Sequence, residues 1–571
     1  MKKSKKGIIS VAIASAVLLS ACGGSNGSKD TMSTYDSSTT AIGETEGTSP
    51  TTTGTAVTAN TATATETEDS EGSNAITAND TSIATYIPDY DLKLQYIDDN
   101  YRTCYEVFLY SFYDSDGDGI GDIQGLIEKL DYINDGDPES FTDLGCDEIW
   151  LMPVCPSTTY HKYDVTDYMD IDPQYGTLED FDELIEACHK RGINVILDTV
   201  INHTSTQHEW FKEAAAYLRS LSADAEPNAE DCPYVEYYNF SRQEQDGYSK
   251  LSGTNWYYEA RFWSEMPDLN LENEAVRAEL SEMARFWIDH GADGFRMDAV
   301  LYYDYGNNEN SISELGWFVD TVKSYKSDAY IVGEAWTNQA TYAKYYASGI
   351  DSLFEFDYSG SEGIISKAAH SRYSALKFAS GLEAMQETYS EYNEDYIAAP
   401  FYTNHDMARS AGYYVGEGSE DMTKFAGALN LMMSGNAFIY YGEELGMSGS
   451  GKDENKRAPM YWSDDADAEG MCDGPADMDN IDMKYASFDE QAGDEYSIYN
   501  YYKKAIAIRN AFPVIARGDV TALEEISDDD VCFMLKSVEG GTVTDTEGNE
   551  ISISDVVIAI NMSEETKTVT V

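Results

Sequence analysis

Positive charge is scarce in this 571-residue chain. Lys and Arg number 37 against 103 Asp and Glu, a formal net charge of −66. Phosphate backbones need a basic face, so nucleic acid is excluded as a partner. Electrostatic docking to anionic lipid is disfavoured for the same reason. No C-x-x-C pair occurs among the 8 cysteines, which removes a zinc ribbon or a redox dithiol. No G-x-G-x-x-G or P-loop opens a helix, so dinucleotide binding has no support. The apolar run Ile8–Leu19 is too short for a comfortable membrane span, and the segment leading to Val571 carries no such span. Hydrophobic residues make up 42%, which excludes global disorder and allows a sizeable core, in about three to five domains or one large barrel with attachments.

The first residues read as an address. Lys2, Lys3, Lys5 and Lys6 precede the apolar run, which ends Leu19-Ser20-Ala21-Cys22-Gly23. A basic stretch before a short apolar one is a secretory signal, and its end resembles a bacterial lipobox. Residues 1–21 are therefore expected to be removed and Cys22 to be lipidated, placing the protein on a bacterial cell surface with only that lipid in the membrane. Residues 22–88 are rich in Ser, Thr, Gly, Ala and Glu. They lack the large apolar side chains needed to offset ordering entropy, so a solvated tether is expected. The other seven cysteines are scattered and read mostly as buried thiols.

From about residue 97 the texture alternates. Strand candidates are Tyr105–Tyr110, Glu148–Met152, Asn194–Val200, Gly294–Asp298, Tyr330–Glu334, Leu353–Asp357, Ala398–Thr403 and Ala437–Tyr441. Between them lie amphipathic stretches such as Leu178–Lys190, Glu274–His290 and Lys424–Met433. Eight strand–helix units predict an α/β fold, a (β/α)8 TIM barrel, over residues 89–512. A doubly wound sheet is the rival. A long connection, about 203–270, follows the third strand and reads as an inserted B subdomain. Its Trp256, Tyr257 and Tyr258 are candidates either for distal sugar contacts or for core packing. Short β-like runs after Pro513 predict a small antiparallel β domain over 513–571.

In such a barrel, chemistry lives at the C-terminal ends of the strands. Here those ends read Asp198-Thr199-Val200-Ile201-Asn202-His203, Arg296-Met297-Asp298, Glu334-Ala335-Trp336 and Asn404-His405-Asp406. Arg296 and Asp298 are two apart and so point to one side of their strand. Carboxylates from separate strands thus converge with one arginine and two histidines. Near the first strand, Asp114-Ser115-Asp116-Gly117-Asp118-Gly119-Ile120-Gly121-Asp122 sets carboxylates at every second position. That spacing can wrap a hard cation. It departs from an EF-hand, because position 12 of that pattern is Gly125.

These segments, with Met266-Pro267-Asp268-Leu269-Asn270, resemble the conserved regions of the α-amylase family of glycoside hydrolases. The MPDLN version is similar to that of a subgroup between oligo-1,6-glucosidases and neopullulanases. The resemblance implies a calcium-containing barrel that cleaves α-glucosidic bonds with retention. By motif, Asp298 matches the nucleophile, Glu334 the general acid/base and Asp406 the residue that grips two sugar hydroxyls. A retaining pair of carboxyls should sit roughly 5–5.5 Å apart. His203, His405 and Arg296 match residues around the cleaved sugar, and Asp198 a position expected to orient Arg296. Tyr160-His161-Lys162-Tyr163 resembles the family's His-Gly-Tyr, which makes Tyr163 the ring that stacks on that sugar. The calcium ligands implied are Asp114, Asp116, Asp118, Asp122 and the Ile120 carbonyl. A second calcium site would use Asn202, but Leu301-Tyr302 replaces the usual Lys-His, so one Ca2+ is expected. Ala299 leans towards α-1,4 bonds. The expected activity is that of an endo-acting α-amylase on starch and maltooligosaccharides. The alternatives are an exo-acting α-glucosidase, a 4-α-glucanotransferase, or a non-catalytic glycan-binding lipoprotein.

Overall fold

A computed structural model of the protein describes residues 92–563, with 565 and 567. The signal 1–21, Cys22 and the tether 22–88 lie outside the described residues.

Eight strands build the central sheet: β1 (Thr103–Val107), β2 (Glu148–Leu151), β3 (Asn194–Thr199), β4 (Gly294–Met297), β5 (Tyr330–Gly333), β6 (Ser352–Phe354), β7 (Ile397–Ala399) and β8 (Ala437–Tyr440). Their order is β7-β6-β5-β4-β3-β2-β1-β8, with every pairing parallel. The ring closes between β7 and β8 through a parallel bridge at Phe401 and Phe438, where the Phe438 N–H donates to the Pro400 carbonyl at 2.9 Å. This is the closed (β/α)8 barrel, and the doubly wound alternative is excluded. The strands are shorter than expected. The first stops at Val107 because Leu109–Ser111 already forms a 3-10 turn, and the seventh stops at Ala399, before Pro400, which has no N–H to give a ladder.

Alternation along the strands explains the interior. Cys104, Trp150, Ile196, Val332, Phe354, Ala399 and Phe438 form one buried cluster at period-two positions, as an inward face requires. β4 contributes Gly294 there. A side chain on it would collide with the Tyr330 carbonyl at 1.8 Å. The same inward faces turn polar at the upper ends, as Glu106, Asp198, Arg296, Asp298 and Glu334. Outside the barrel, helices such as Leu178–Lys190 bury Phe181, Leu184, Ile185 and Cys188, and a Thr177/Asp180 capping box starts that helix. The helix expected at Lys424–Met433 instead spans Ser419–Leu431, because Gly418 in a left-handed conformation permits an earlier start.

The connection after β3 carries a helix (Glu209–Ser220) and a three-stranded antiparallel sheet. Trp256 and Tyr258 are buried in its core, so these two rings pack and do not offer themselves to sugar. At the C-terminal end, strands Asp519–Ala522, Val531–Ser537 and Val556–Asn561 pair antiparallel and dock on helix Ala375–Ser390, where Gln386 bonds the Val520 backbone in both directions. Six of the seven described cysteines are buried, Cys155 is half-buried, and all are free thiols. No helix among the described residues is long and apolar enough to cross a membrane.

Candidate active site

The polar upper ends meet around Arg296, which is fully buried. Its Nη1 donates to Asp198 Oδ1 at 2.8 Å and to Asp298 Oδ1 at 2.9 Å, and its Nη2 lies 3.1 Å from Glu334 Oε2. One guanidinium therefore joins carboxylates from β3 and from the ends of β4 and β5. The turn after β4 fixes the third contact. Ala299 takes a left-handed conformation (φ 52°), and its N–H donates to Glu334 Oε2 at 3.2 Å.

The seventh strand's segment adds a second group. His405 Nε2 lies 2.8 Å from Tyr163 Oη and 3.2 Å from Asp406 Oδ2, while its Nδ1 lies 2.5 Å from Glu106 Oε1. Tyr163 gives its single hydroxyl hydrogen to Asp198 Oδ2 at 2.8 Å, so at Nε2 the histidine is the donor. Arg457 Nη2 binds Asp406 Oδ1 at 2.8 Å and its Nη1 donates to Tyr160 Oη at 3.2 Å. A continuous polar chain thus runs from Glu106 through His405, Tyr163, Asp198 and Arg296 to Asp298 and Glu334.

The electrostatics separate the carboxylates. Burial pushes Glu334 up to about 7 against the pull of Arg296, with Asp298 and Asp406 adding to the rise. Burial likewise lifts Asp198 to about 6. Asp406 goes the other way: burial is outweighed by His405 and Arg457, which hold its carboxyl well below the usual range. His405 is raised to about 10, because Asp406 and Glu106 outweigh its burial. The site therefore combines a carboxyl, Glu334, that keeps its proton near neutrality, as a general acid must, with another, Asp406, that stays charged.

His203 is buried beside Asn202, its Nε2 lacking a partner of ordinary geometry. Burial lowers its pKa and keeps it neutral. Lys162, which stands where the family has glycine, adopts φ 65°. Its buried Nζ is held by Asp172 Oδ2 at 2.7 Å and Gln174 Oε1 at 2.6 Å. That buried anchorage keeps the left-handed turn without glycine, and Tyr163 still reaches the site.

All seven predicted catalytic and sugar-binding residues come together. Glu106, Tyr160 and Arg457 were not foreseen. Glu106 left a trace, a carboxylate inside the otherwise uncharged strand Thr103–Val107. Arg457 left none, since its partner Asp406 is 51 residues away.

Of the cation-loop residues, Asp114, Asp116 and Asp122 bring oxygens within 4.8 Å of one another, the one such acidic group among the described residues. Asp118 stands outside it, exposed, accepting from the Ile120 N–H at 2.8 Å. The donor set is all oxygen, which fits a hard cation such as Ca2+. Segment 470–473 clamps the loop through Asp114 N–H to Gly470 O at 3.0 Å and Asp473 N–H to Gly119 O at 2.8 Å. Asn202, the residue a second calcium site would use, donates from Nδ2 to Asp268 Oδ1 at 3.3 Å.

A (β/α)8 barrel with converging carboxylates, an arginine and histidines at its upper rim defines a glycoside hydrolase. A family model described as alpha amylase, catalytic domain, matches residues 106–518, and the chain belongs to the α-amylase family. It is 40% identical over 423 residues to alpha-amylase 3 of Dictyoglomus thermophilum, covering 74% of this chain and 79% of that one. It is 31% identical to an oligo-1,6-glucosidase of a Bacillus species, covering 74% and 94%. Among solved structures, Eubacterium rectale Amy13B is 52% identical, with a TM-score of 0.78 over 84% of this chain and 89% of that one.

Proposed function

We propose that the protein is a retaining, endo-acting α-amylase that cuts α-1,4 bonds of starch and maltooligosaccharides at a bacterial cell surface. The observation that carries the reading is the Arg296 guanidinium joined to both Asp298 and Glu334. Asp298 attacks the anomeric carbon as Glu334 gives its proton to the leaving oxygen. Glu334, now ionised, takes a proton from water, which displaces Asp298 from the sugar. Asp406, oriented by His405 and Arg457, grips hydroxyls of the distorted ring, and Tyr163 stacks beneath it. The cell-surface placement rests on the lipobox-like end at Cys22. The test is a product profile on amylose, maltotriose and isomaltose. Mixed oligosaccharides should appear early from amylose and isomaltose should resist. Glucose alone from short substrates would replace this reading with an exo-acting α-glucosidase.

Asp114, Asp116 and Asp122 would hold Ca2+, which would neutralise a crowded acidic loop next to the first strand and take no part in bond cleavage. Removing it with EGTA is expected to lower Tm, restored by Ca2+ but not by Mg2+. The loss corresponds to about 2.7 kcal/mol when free ion is about 100-fold above Kd. An unchanged melting curve would remove the ion from the account.

A further inference from the structure

Burying a carboxylate costs stability unless a partner compensates it. Glu106 on β1 is 1% exposed and takes no part in bond cleavage. Its partner is His405, also 1% exposed, whose Nδ1 lies 2.5 Å from Glu106 Oε1. The other ring nitrogen, Nε2, lies 3.2 Å from Asp406 Oδ2 and 2.8 Å from Tyr163 Oη. The imidazole thus stands between two carboxylates, one at each nitrogen. A neutral ring carries a single N–H and can serve only one of them, whereas an imidazolium serves both. Nε2 already carries a proton, because the Tyr163 hydrogen goes to Asp198 at 2.8 Å. What Glu106 decides is the proton at Nδ1.

The surroundings favour the charged ring. Glu106 from β1 and Asp406 beside it outweigh the burial of His405 and hold it protonated above neutrality. Burial raises Glu106 as well, but His405 and Arg296 from β4 draw it back down, while Asp406 adds to the rise. The other charged or titratable groups within reach are Tyr163 after β2, Asp198 from β3, Glu334 after β5 and Tyr440 from β8. Trp150 from β2 closes the space with its ring 5.7 Å away, edge to face, and Arg457 donates to the His405 carbonyl at 3.3 Å.

We propose that Glu106 is a positioning residue for the cleavage reaction: its carboxylate holds the Nδ1 proton of His405, so that the ring stays an imidazolium and offers a charged Nε2–H to Asp406 and to the sugar that Asp406 grips. The inference rests on the α-amylase reading of the same site. A charged donor bonds roughly twice as strongly as a neutral one. Asp406 therefore stays ionised and fixed while Glu334 gives up and regains its proton.

The experiment is the pH dependence of kcat/KM on α-maltotriosyl fluoride. Fluoride departs without a proton from an acid, so the ionisation of Glu334 does not mask other groups. The ratio of Glu106→Gln to parent should fall at least about fivefold between pH 5.5 and pH 8.5. Its midpoint should lie above the ordinary histidine value of about 6.5, because Asp406 still faces the ring. A ratio constant across that range, whatever its size, would overturn the proposal and leave Glu106 as packing. If the variant does not fold, the parent labelled with 15N in its histidines decides. One ring should still carry protons on both nitrogens at pH 9 and should shift when maltotriose binds. No such ring would equally overturn the proposal. A parent that releases fluoride but leaves maltoheptaose uncut would instead overturn the α-amylase reading itself.

Discussion

Asp298→Asn is expected to lower kcat on starch by at least about 10⁴-fold while starch binding persists. The amide has the same shape and still offers an oxygen to Arg296, so the bonds that position it survive in part. What is lost is the negative oxygen that attacks the anomeric carbon. Without it the oxocarbenium-like transition state has neither a covalent successor nor a counter-charge at the reacting atom. Rates measured on soluble starch, with binding followed separately on the same protein, check the claim. Binding without turnover would match the assignment. Turnover near the parent rate would remove Asp298 as nucleophile and leave the polar chain as a structural network.

The second large effect is on stability. Arg296→Leu is expected to destabilise the fold by about 3–5 kcal/mol at neutral pH, because it strands carboxylates whose partner is gone. The loss should shrink in acid. Asp198 and Glu334 already bind protons more tightly in the folded protein, with pKa values of about 6 and 7. A carboxyl raised in the folded state contributes stability below its unfolded pKa and loses it as pH rises through the folded value. Removing the arginine raises both values further, so the penalty grows from about pH 6 upward, where the parent's carboxyls ionise and the variant's still hold their protons. Denaturant unfolding at pH 5 and pH 7.5 reads this directly. A penalty equal at both pH values would mean that buried charge is not what Arg296 compensates.

Much of this arrangement could be read from the chain because barrels convert sequence order into geometry. Once β4 and β5 are recognised, Asp298 and Glu334 must stand at the same end, and the two-residue spacing of Arg296 and Asp298 aims both inward. What could not be read depends on contacts between distant loops. Arg457 reaches Asp406 from a segment with no periodicity, and Glu106 meets His405 across 299 residues of sequence. Exposure in the inserted subdomain stayed open at the sequence level for a related reason. Trp256 and Tyr258 sit in a strand and beside it, where the small sheet closes over them, whereas Phe262 lies just past its last strand and stays open. In the cation loop, alternate spacing draws Asp114, Asp116 and Asp122 together, while Asp118 accepts from the Ile120 N–H.

The Glu106–His405 and Asp406–Arg457 bonds tie the first barrel strand to a segment beyond the eighth. A ribosome making this chain releases Asp298 and Glu334 well before Arg457 emerges. The polar ring at the barrel's upper end is therefore complete only once the segment beyond the eighth strand has been made.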